Sequence, residues 1–360
     1  MFIAMPILFI GNSYRKQLFN PFISANLFGR RPYIYLTSTR LLNCNCIEAL
    51  VYKMLLRIAH AVIISDDEGA KVLDKYPLEP SKKILWFCWN GADDLTTWPL
   101  SKVPLYPHLK MCFVFSDETK KAESLFKLKA CHLKYPILQK HGSKIEKRYL
   151  ISYVGEVDTV DELEKSDKEI NDYLWELTEQ FTSNGNFENN LNIIDERRAR
   201  SQKTSFQTFL WILRNRIRHK YVKALKHKFA KDFLLVGNDW KKYGLDSLPS
   251  DYNSDNRFKV YKTSKLCLDL LSKSSLDAQY PRSAEIISHS NGIIQLKTVD
   301  SLDFFGDQWG IRTFQSLSDL NNKIENLLAM NDTDFEVLGE KLRTWASTRT
   351  HGHNLAQIQR

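Results

Sequence analysis

Glycine is scarce in this sequence, 14 residues in 360, and the glycine-dependent phosphate motifs are missing with it. Neither G-x-x-x-x-G-K-[ST] nor G-x-G-x-x-G occurs, which excludes a P-loop NTPase and the usual dinucleotide site. H-E-x-x-H, paired C-x-x-C and G-x-S-x-G are absent too, so zincins, zinc ribbons and α/β-hydrolases fall away. No apolar run reaches the ~20 residues of a membrane span. The apolar segment Met1 to Ile10 has no Lys or Arg before Arg15 and no small-residue cleavage site, so it reads as a first core strand rather than a secretory signal. No repeat of fixed period is present, which leaves solenoids and propellers unsupported.

What is present is a globular composition, with 43% hydrophobic, 12% aromatic and 26% charged residues. That is enough apolar mass for two cores at this length. The six cysteines sit mostly inside apolar runs such as Trp86-Phe87-Cys88-Trp89, where a thiol packs as a small hydrophobe. Only Cys44 and Cys46 are close, and they lack zinc-ligand spacing. Such usage implies a reducing, cytoplasmic setting.

The net charge of +9 is unevenly spread. Arg197 to Lys231 holds twelve Lys and Arg and no Asp or Glu, leaving −3 for everything else. Phe206, Leu210, Leu213, Ile217, Tyr221, Ala224 and Leu225 recur there at three- and four-residue spacing, with Arg214, Arg216 and Arg218 among the cations around them. The pattern predicts an amphipathic basic helix. It packs either as a core-facing helix with a solvated basic back or, additionally, against an anionic membrane surface.

Short apolar runs alternate with helical stretches, the pattern of parallel sheets covered by helices. The expected fold class is α/β, with two Rossmann-like doubly wound domains facing a cleft and helices at the C-terminus. A polar stretch, Gln139 to Arg148, places the boundary, giving an acceptor-side domain 1–148 and a second domain 149–360 with a basic helical insertion 197–231. Strands are predicted at Pro6 to Ile10, Tyr33 to Leu36, Ala61 to Ile64, Lys83 to Phe87, Met111 to Phe115 and Cys131 to Leu133. Further strands are expected at Tyr149 to Gly155, Phe233 to Val236 and Gly292 to Leu296, and helices at Ser264 to Leu271, Leu317 to Met330 and Phe335 to Ala346.

Ligands of open α/β sheets sit beyond the carboxyl ends of strands. Gly155-Glu156 and Gly237-Asn238-Asp239-Trp240 follow predicted strands, and glycine there lets backbone approach a phosphate, though a plain turn explains each one alone. Arg282 and Glu285, three apart, share a helical face. They read either as a surface ion pair or as a cation for a diphosphate beside a carboxylate for sugar hydroxyls.

In the first half, Asp66 and Asp67, Asp93 and Asp94, and Asp117 follow predicted strands, where a general base belongs. Helix capping competes at Ser65-x-x-Glu68 and at Ser116 or Asp117. Asp93, among Trp86, Trp89 and Trp98, and Asp66 are the catalytic candidates. Asp332-Thr333-Asp334 sits between two helices and reads as a cap rather than a metal motif.

The order Tyr261-Lys262-Thr263-Ser264-Lys265-Leu266-Cys267-Leu268, then Arg282-x-x-Glu285, Asn291-Gly292 and a short strand, resembles the donor-site signature of group 1 glycosyltransferases of the GT-B fold, in particular the spore-maturation-type subgroup. The resemblance covers roughly residues 149–351, with Gly155 and Gly237-Asn238 in its glycine turns. It implies a transferase that moves a sugar, as a hexosyltransferase would, from a nucleotide-sugar donor to a glycan, lipid-linked glycan or protein acceptor; metal independence is expected from the capping position of Asp332-Thr333-Asp334 and from histidines without ligand spacing. Gly155, Gly237, Asn238, Lys265, Arg282, Glu285, Asn291 and Gly292 would then hold the donor. No nucleic-acid partner is expected on this reading, and an anionic membrane face is a further expectation for the basic helix. The competing reading is a noncatalytic nucleic-acid or polyanion binder built on residues 197–231.

Overall fold

A computed structural model describes residues 5–25, 31–88, 106–113, 116–126, 130–138, 146–157, 168–183, 194–195, 198–199, 205–250, 254–270 and 281–359. The chain divides into two units, Met1–Leu138 with Thr350–Arg360, and Gln139–Arg349. The boundary thus falls about ten residues before the expected one, and the last residues group with the first unit rather than the second. The division also resolves the charge outside the basic segment. The first unit carries 19 Lys and Arg against 11 Asp and Glu, a net +8, while the second unit without residues 197–231 is at −11. The near-neutral remainder read from sequence is two opposite charges averaged.

The first unit is a sheet of six parallel strands in the order β2-β1-β3-β4-β5-β6, at Ile7–Gly11 (β1), Tyr33–Thr37 (β2), Ala61–Ser65 (β3), Lys83–Cys88 (β4), Leu109–Phe113 (β5) and Ala130–His132 (β6). All five β1 residues are buried, as a central strand covered on both faces requires. Between the strands run α1 (Ser13–Ser24), α2 (Ser38–Asn43), α3 (Cys46–Ile58), α4 (Asp66–Lys75) and α5 (Ser116–Phe126). Asn45 starts α3 with a capping box to Glu48.

The second unit holds five parallel strands in the order β11-β10-β9-β7-β8: Tyr149–Val154 (β7), Phe233–Val236 (β8), Ser264–Asp269 (β9), Ile293–Leu296 (β10) and Thr313–Phe314 (β11). Its helices are α6 (Lys168–Ser183), α7 (Phe206–Phe229), α8 (Ser254–Thr263), α9 (Pro281–His289), α10 (Ser301–Phe305), α11 (Trp309–Arg312), α12 (Leu317–Ala329) and α13 (Asp332–Gln359). The expected helix over Ser264 to Leu271 is strand β9. Leu266, Leu268 and Leu270 alternate with Lys265, Cys267 and Asp269, a two-residue period that fits a strand better than a helix and that the structure bears out, with all but Lys265 of these residues buried.

The basic segment also departs from expectation. Phe209, Leu210, Ile212, Leu213, Ile217, Tyr221, Val222 and Leu225 surround α7 and join the second unit's core, and Arg214, Arg216 and Arg218 are themselves buried. The first half of α7 is thus an interior helix whose arginines are buried, while Lys223, His227 and Lys228 toward its end are exposed, so the expected core-facing helix is present and its solvated basic back is confined to the last turns. The closing helix α13 is a single element from Asp332 to Gln359. Its cap is Asn331, which accepts from the Asp334 amide at 2.9 Å, rather than the aspartates of the D-x-D. Its end belongs to the first unit, where the Asn354 amide brackets Lys134, accepting from its N–H at 2.8 Å and donating to its carbonyl at 2.7 Å.

Candidate functional site

Doubly wound sheets bind ligands where the strand order reverses. In the second unit β7 is followed on one side by β8 and on the other by β9, so the crevice opens beyond Val154 and Asp269. The turn after β7 is built by two glycines. Gly155 donates to the Val236 carbonyl at 2.9 Å, and Gly237 lies so close that a Cβ there would stand 2.1 Å from the Gly155 carbonyl oxygen. Gly237 also has φ +155°, a conformation that side chains oppose. Trp240, fully buried, donates its indole N–H to the Gly155 carbonyl at 2.7 Å and fixes the turn from beneath. Asn238 donates to Glu156 Oε1 at 2.9 Å and accepts from the Ser250 amide at 3.2 Å.

Across the switch, Asp269 ends β9 with no exposed surface. It accepts from Ser283 Oγ at the start of α9 and, at 3.3 Å, from Gln295 of β10. Arg282 Nη1 reaches it at 3.5 Å, and its guanidinium lies 5.6 Å from the centre of the Tyr153 ring. Burial raises the Asp269 carboxyl above its ordinary value, opposed by Arg282, Ser283, Arg218 and Gln295. Arg218 of α7 donates to the Glu156 carbonyl at 3.4 Å. Pro281 opens α9, so the helix presents its first amides at this same edge. Two guanidinium groups and a helix N-terminus thus meet around one buried carboxylate.

Arg282 and Glu285 do not form the i,i+3 pair that was one reading of them. Arg282 turns to Asp269, and Glu285 accepts from Arg257 of α8 at 3.1 Å, with both side chains about nine-tenths buried. Of the eight expected donor residues, Gly155, Gly237, Asn238, Arg282 and Glu285 stand on elements meeting at this carboxyl edge. Lys265, Asn291 and Gly292 do not. Lys265, the second residue of β9, reaches the Leu328 carbonyl at 3.3 Å and Asp332 at 3.7 Å. Asn291 accepts from Arg343 at 2.8 Å, and a Cβ on Gly292 would meet the Lys265 carbonyl at 1.9 Å. These three tie α12 and α13 to the amino end of the sheet, because β9 and β10 both begin there.

The residues missed in the sequence are Arg218 of α7 and Asp269. A signal for Arg218 was available: apolar side chains at 209, 212 and 222, besides those counted for the stripe, leave the helix around it no broad polar face. In the first unit the order reverses between β1 and β3, and Asp66 opens α4 directly beyond β3. Asp93 and Asp94 lie outside the described residues.

No protein-family profile and no curated protein sequence matches the chain. Solved structures do. T4 phage β-glucosyltransferase, described as a DNA-modifying enzyme and solved with and without uridine diphosphoglucose, aligns over 99% of both chains with a TM-score of 0.54 at 8% identity. A second structure of the T4 enzyme, concerned with substrate binding and mechanism, gives 0.52 at 8% identity over 99% of both chains. The fold is similar to that of a GT-B glycosyltransferase. The likeness spans both units, including the first, where sequence offered only strand order.

One relation corrects an expectation. The T4 enzyme has also been solved with UDP and Mn2+, aligning at a TM-score of 0.51 and 10% identity over 99% of both chains, so metal independence does not follow from this fold. Among the described residues no three His, Cys, Asp or Glu side chains gather as ligands. The site's carboxylates are already engaged: Glu156 by Asn238, Asp269 by Ser283, Gln295 and Arg282, and Glu285 by Arg257. Those residues do not make a metal centre of their own.

Proposed function

We propose that the chain is a glycosyltransferase that uses a nucleoside-diphosphate sugar, with the donor at the β7/β9 switch of the second unit. The observation that carries this reading is the convergence of Arg282, Arg218 and the α9 N-terminus on the glycine turn at Gly155 and Gly237. As the bond between the sugar's anomeric carbon and the diphosphate oxygen breaks, that oxygen gains negative charge. Fixed cations and amides in a partly desolvated edge stabilise it without reorganising. Arg282 and Arg218 take the diphosphate. Glu285, oriented by Arg257, accepts from donor hydroxyls. Asp269 is a positioning residue that aims Arg282 and locks Ser283 at the head of α9.

Asp66 or Asp93 of the first unit is assigned to deprotonate the acceptor hydroxyl, which then attacks the anomeric carbon. Hexosyl transfer and a UDP-sugar donor belong to the same proposal, supported by the uridine diphosphoglucose bound by the T4 enzyme. The spore-maturation-type assignment and a role in polysaccharide synthesis rest on motif order alone. The polyanion-binder alternative is not favoured, because three of the segment's twelve cations, Arg214, Arg216 and Arg218, are buried in the second unit.

Calorimetric titration with UDP, GDP, CMP and dTDP, each with and without Mn2+, tests the donor site. UDP release is then followed with glycan, lipid-linked saccharide, protein and duplex DNA acceptors offered in parallel. Saturable binding of one nucleoside diphosphate, weakened in Arg282→Ala, is the expected result. No binding of any of the four sinks the proposal.

A further inference from the structure

Helix α3 of the first unit is apolar on two sides. Tyr52 and Leu56 face the core, and nearly opposite them Ile47, Leu50, Val51, Met54 and Ile58 stay open to solvent. At 100° per residue these five fall within a single stripe about 100° wide, so they form a surface and not scattered exposure. The exposure is high, 78% at Ile47 and 72% at Leu50, and it is aliphatic throughout. Beside the stripe lies a groove of about 680 Å³, floored by Leu50, Met54, Tyr76 and Leu78. Its charged lining is Lys53, Arg57, Lys75 and Lys82 against one carboxylate, Glu79. Lys75 and Lys82 are pinned to the rim by donating to the carbonyls of Leu42 at 2.6 Å and Ala59 at 2.7 Å. Glu48, on the far flank, is paired with Arg40 at 2.7 Å.

We infer that this face docks on an anionic lipid bilayer, with the α3 stripe entering the headgroup region and the basic rim meeting lipid phosphates. Exposed aliphatic surface of this extent on one helix marks an interaction site. The occupant follows from charge and shape together. A second copy of the same patch would set like charges against each other. A nucleic acid would match the cations but leave the aliphatic stripe wet. A single acidic helix would answer the rim alone, whereas an extended anionic plane also senses the +8 of the whole unit. The surface is distinct from the β7/β9 site, and the inference does not depend on the proposed activity.

The test is flotation of the full chain with vesicles of phosphatidylcholine and phosphatidylglycerol, against phosphatidylcholine alone, at two salt concentrations. Flotation is expected only with the anionic vesicles and should weaken with salt. Leu50→Ser/Met54→Ser, exposed positions that leave the core untouched, should lower partitioning about tenfold or more. Lys53→Ala and Arg57→Ala should each lower it about fivefold. Circular dichroism and UDP titration of each variant should match the parent, which separates failure of docking from failure of the donor site. Absence of flotation with anionic vesicles overturns the inference, as does flotation unchanged by Leu50→Ser/Met54→Ser. A dimer in sedimentation that this double variant dissociates, or an oligonucleotide that binds while vesicles do not, would assign the face to another occupant.

Discussion

Arg282 has two jobs in the proposed site, and they can be separated. It compensates a carboxylate that has no exposed surface, and it faces the edge where a diphosphate would lie. Arg282→Ala should therefore cost on both counts. Leaving Asp269 buried with only Arg218 as countercharge should destabilise the fold by about 3–5 kcal/mol, less whatever Arg218 offsets. Losing the charge-assisted contacts to the diphosphate should remove about 1.5–3 kcal/mol of binding, or roughly 10- to 150-fold in the UDP dissociation constant. The double variant Arg282→Ala/Asp269→Asn removes the orphaned charge, so it should regain most of the stability but none of the affinity. Urea denaturation gives the first quantity and calorimetric titration the second. The reasoning fails if folded Arg282→Ala binds UDP within about twofold of the parent. It also fails if the double variant recovers affinity along with stability, since Arg282 would then act only through the fold.

Other outcomes follow from the same geometry. Asp269 has a folded-state pKa raised above 3.8 by burial, so its contribution to stability is fully present below pH 3.8 and is lost as pH rises through the raised value. Asp269→Asn, uncharged throughout, should gain on the parent across that window; urea denaturation from pH 3.5 upward showing a constant difference would contradict this. Gly237→Ala places a methyl 2.1 Å from the Gly155 carbonyl at φ +155° and should destabilise by about 2–5 kcal/mol, read as a fall in Tm. Trp240→Phe leaves the Gly155 carbonyl without its indole donor and should cost about 1–3 kcal/mol while weakening UDP binding; unchanged affinity would detach the turn from the site. Asp66→Asn should lower kcat about 10²- to 10⁴-fold with UDP affinity retained, and an unaltered kcat would remove Asp66 as the base.

Sequence by itself determined the parallel-sheet class and most of the strands, because a strand buried on both faces is a short apolar run whatever its neighbours. The run Phe233 to Val236 coincides with β8, and Lys83 to Phe87 differs from β4 by one residue. It also singled out Gly155, Gly237, Asn238, Arg282 and Glu285, since a turn after a strand and a helix beginning after one are local facts. The strand nature of β9 was legible in the alternation of Leu266, Leu268 and Leu270 with Lys265, Cys267 and Asp269, and the helix reading of that segment passed over it. Lys265 falls at the amino end of the sheet only because β9 is a strand, whereas Asn291 and Gly292 already stood at the start of an expected strand.

The tertiary structure alone decided the partners of charge. Arg218 and Arg282 are 64 positions apart in sequence, and only the packing of α7 beside the β7/β9 switch brings both to Asp269. The same packing turned Arg214, Arg216 and Arg218 inward, while α3, unremarkable in composition, kept an aliphatic stripe in water. Periodicity reports which residues share a face of an element. Which faces meet is set by the order of strands in the sheet, and that is a property of the whole chain.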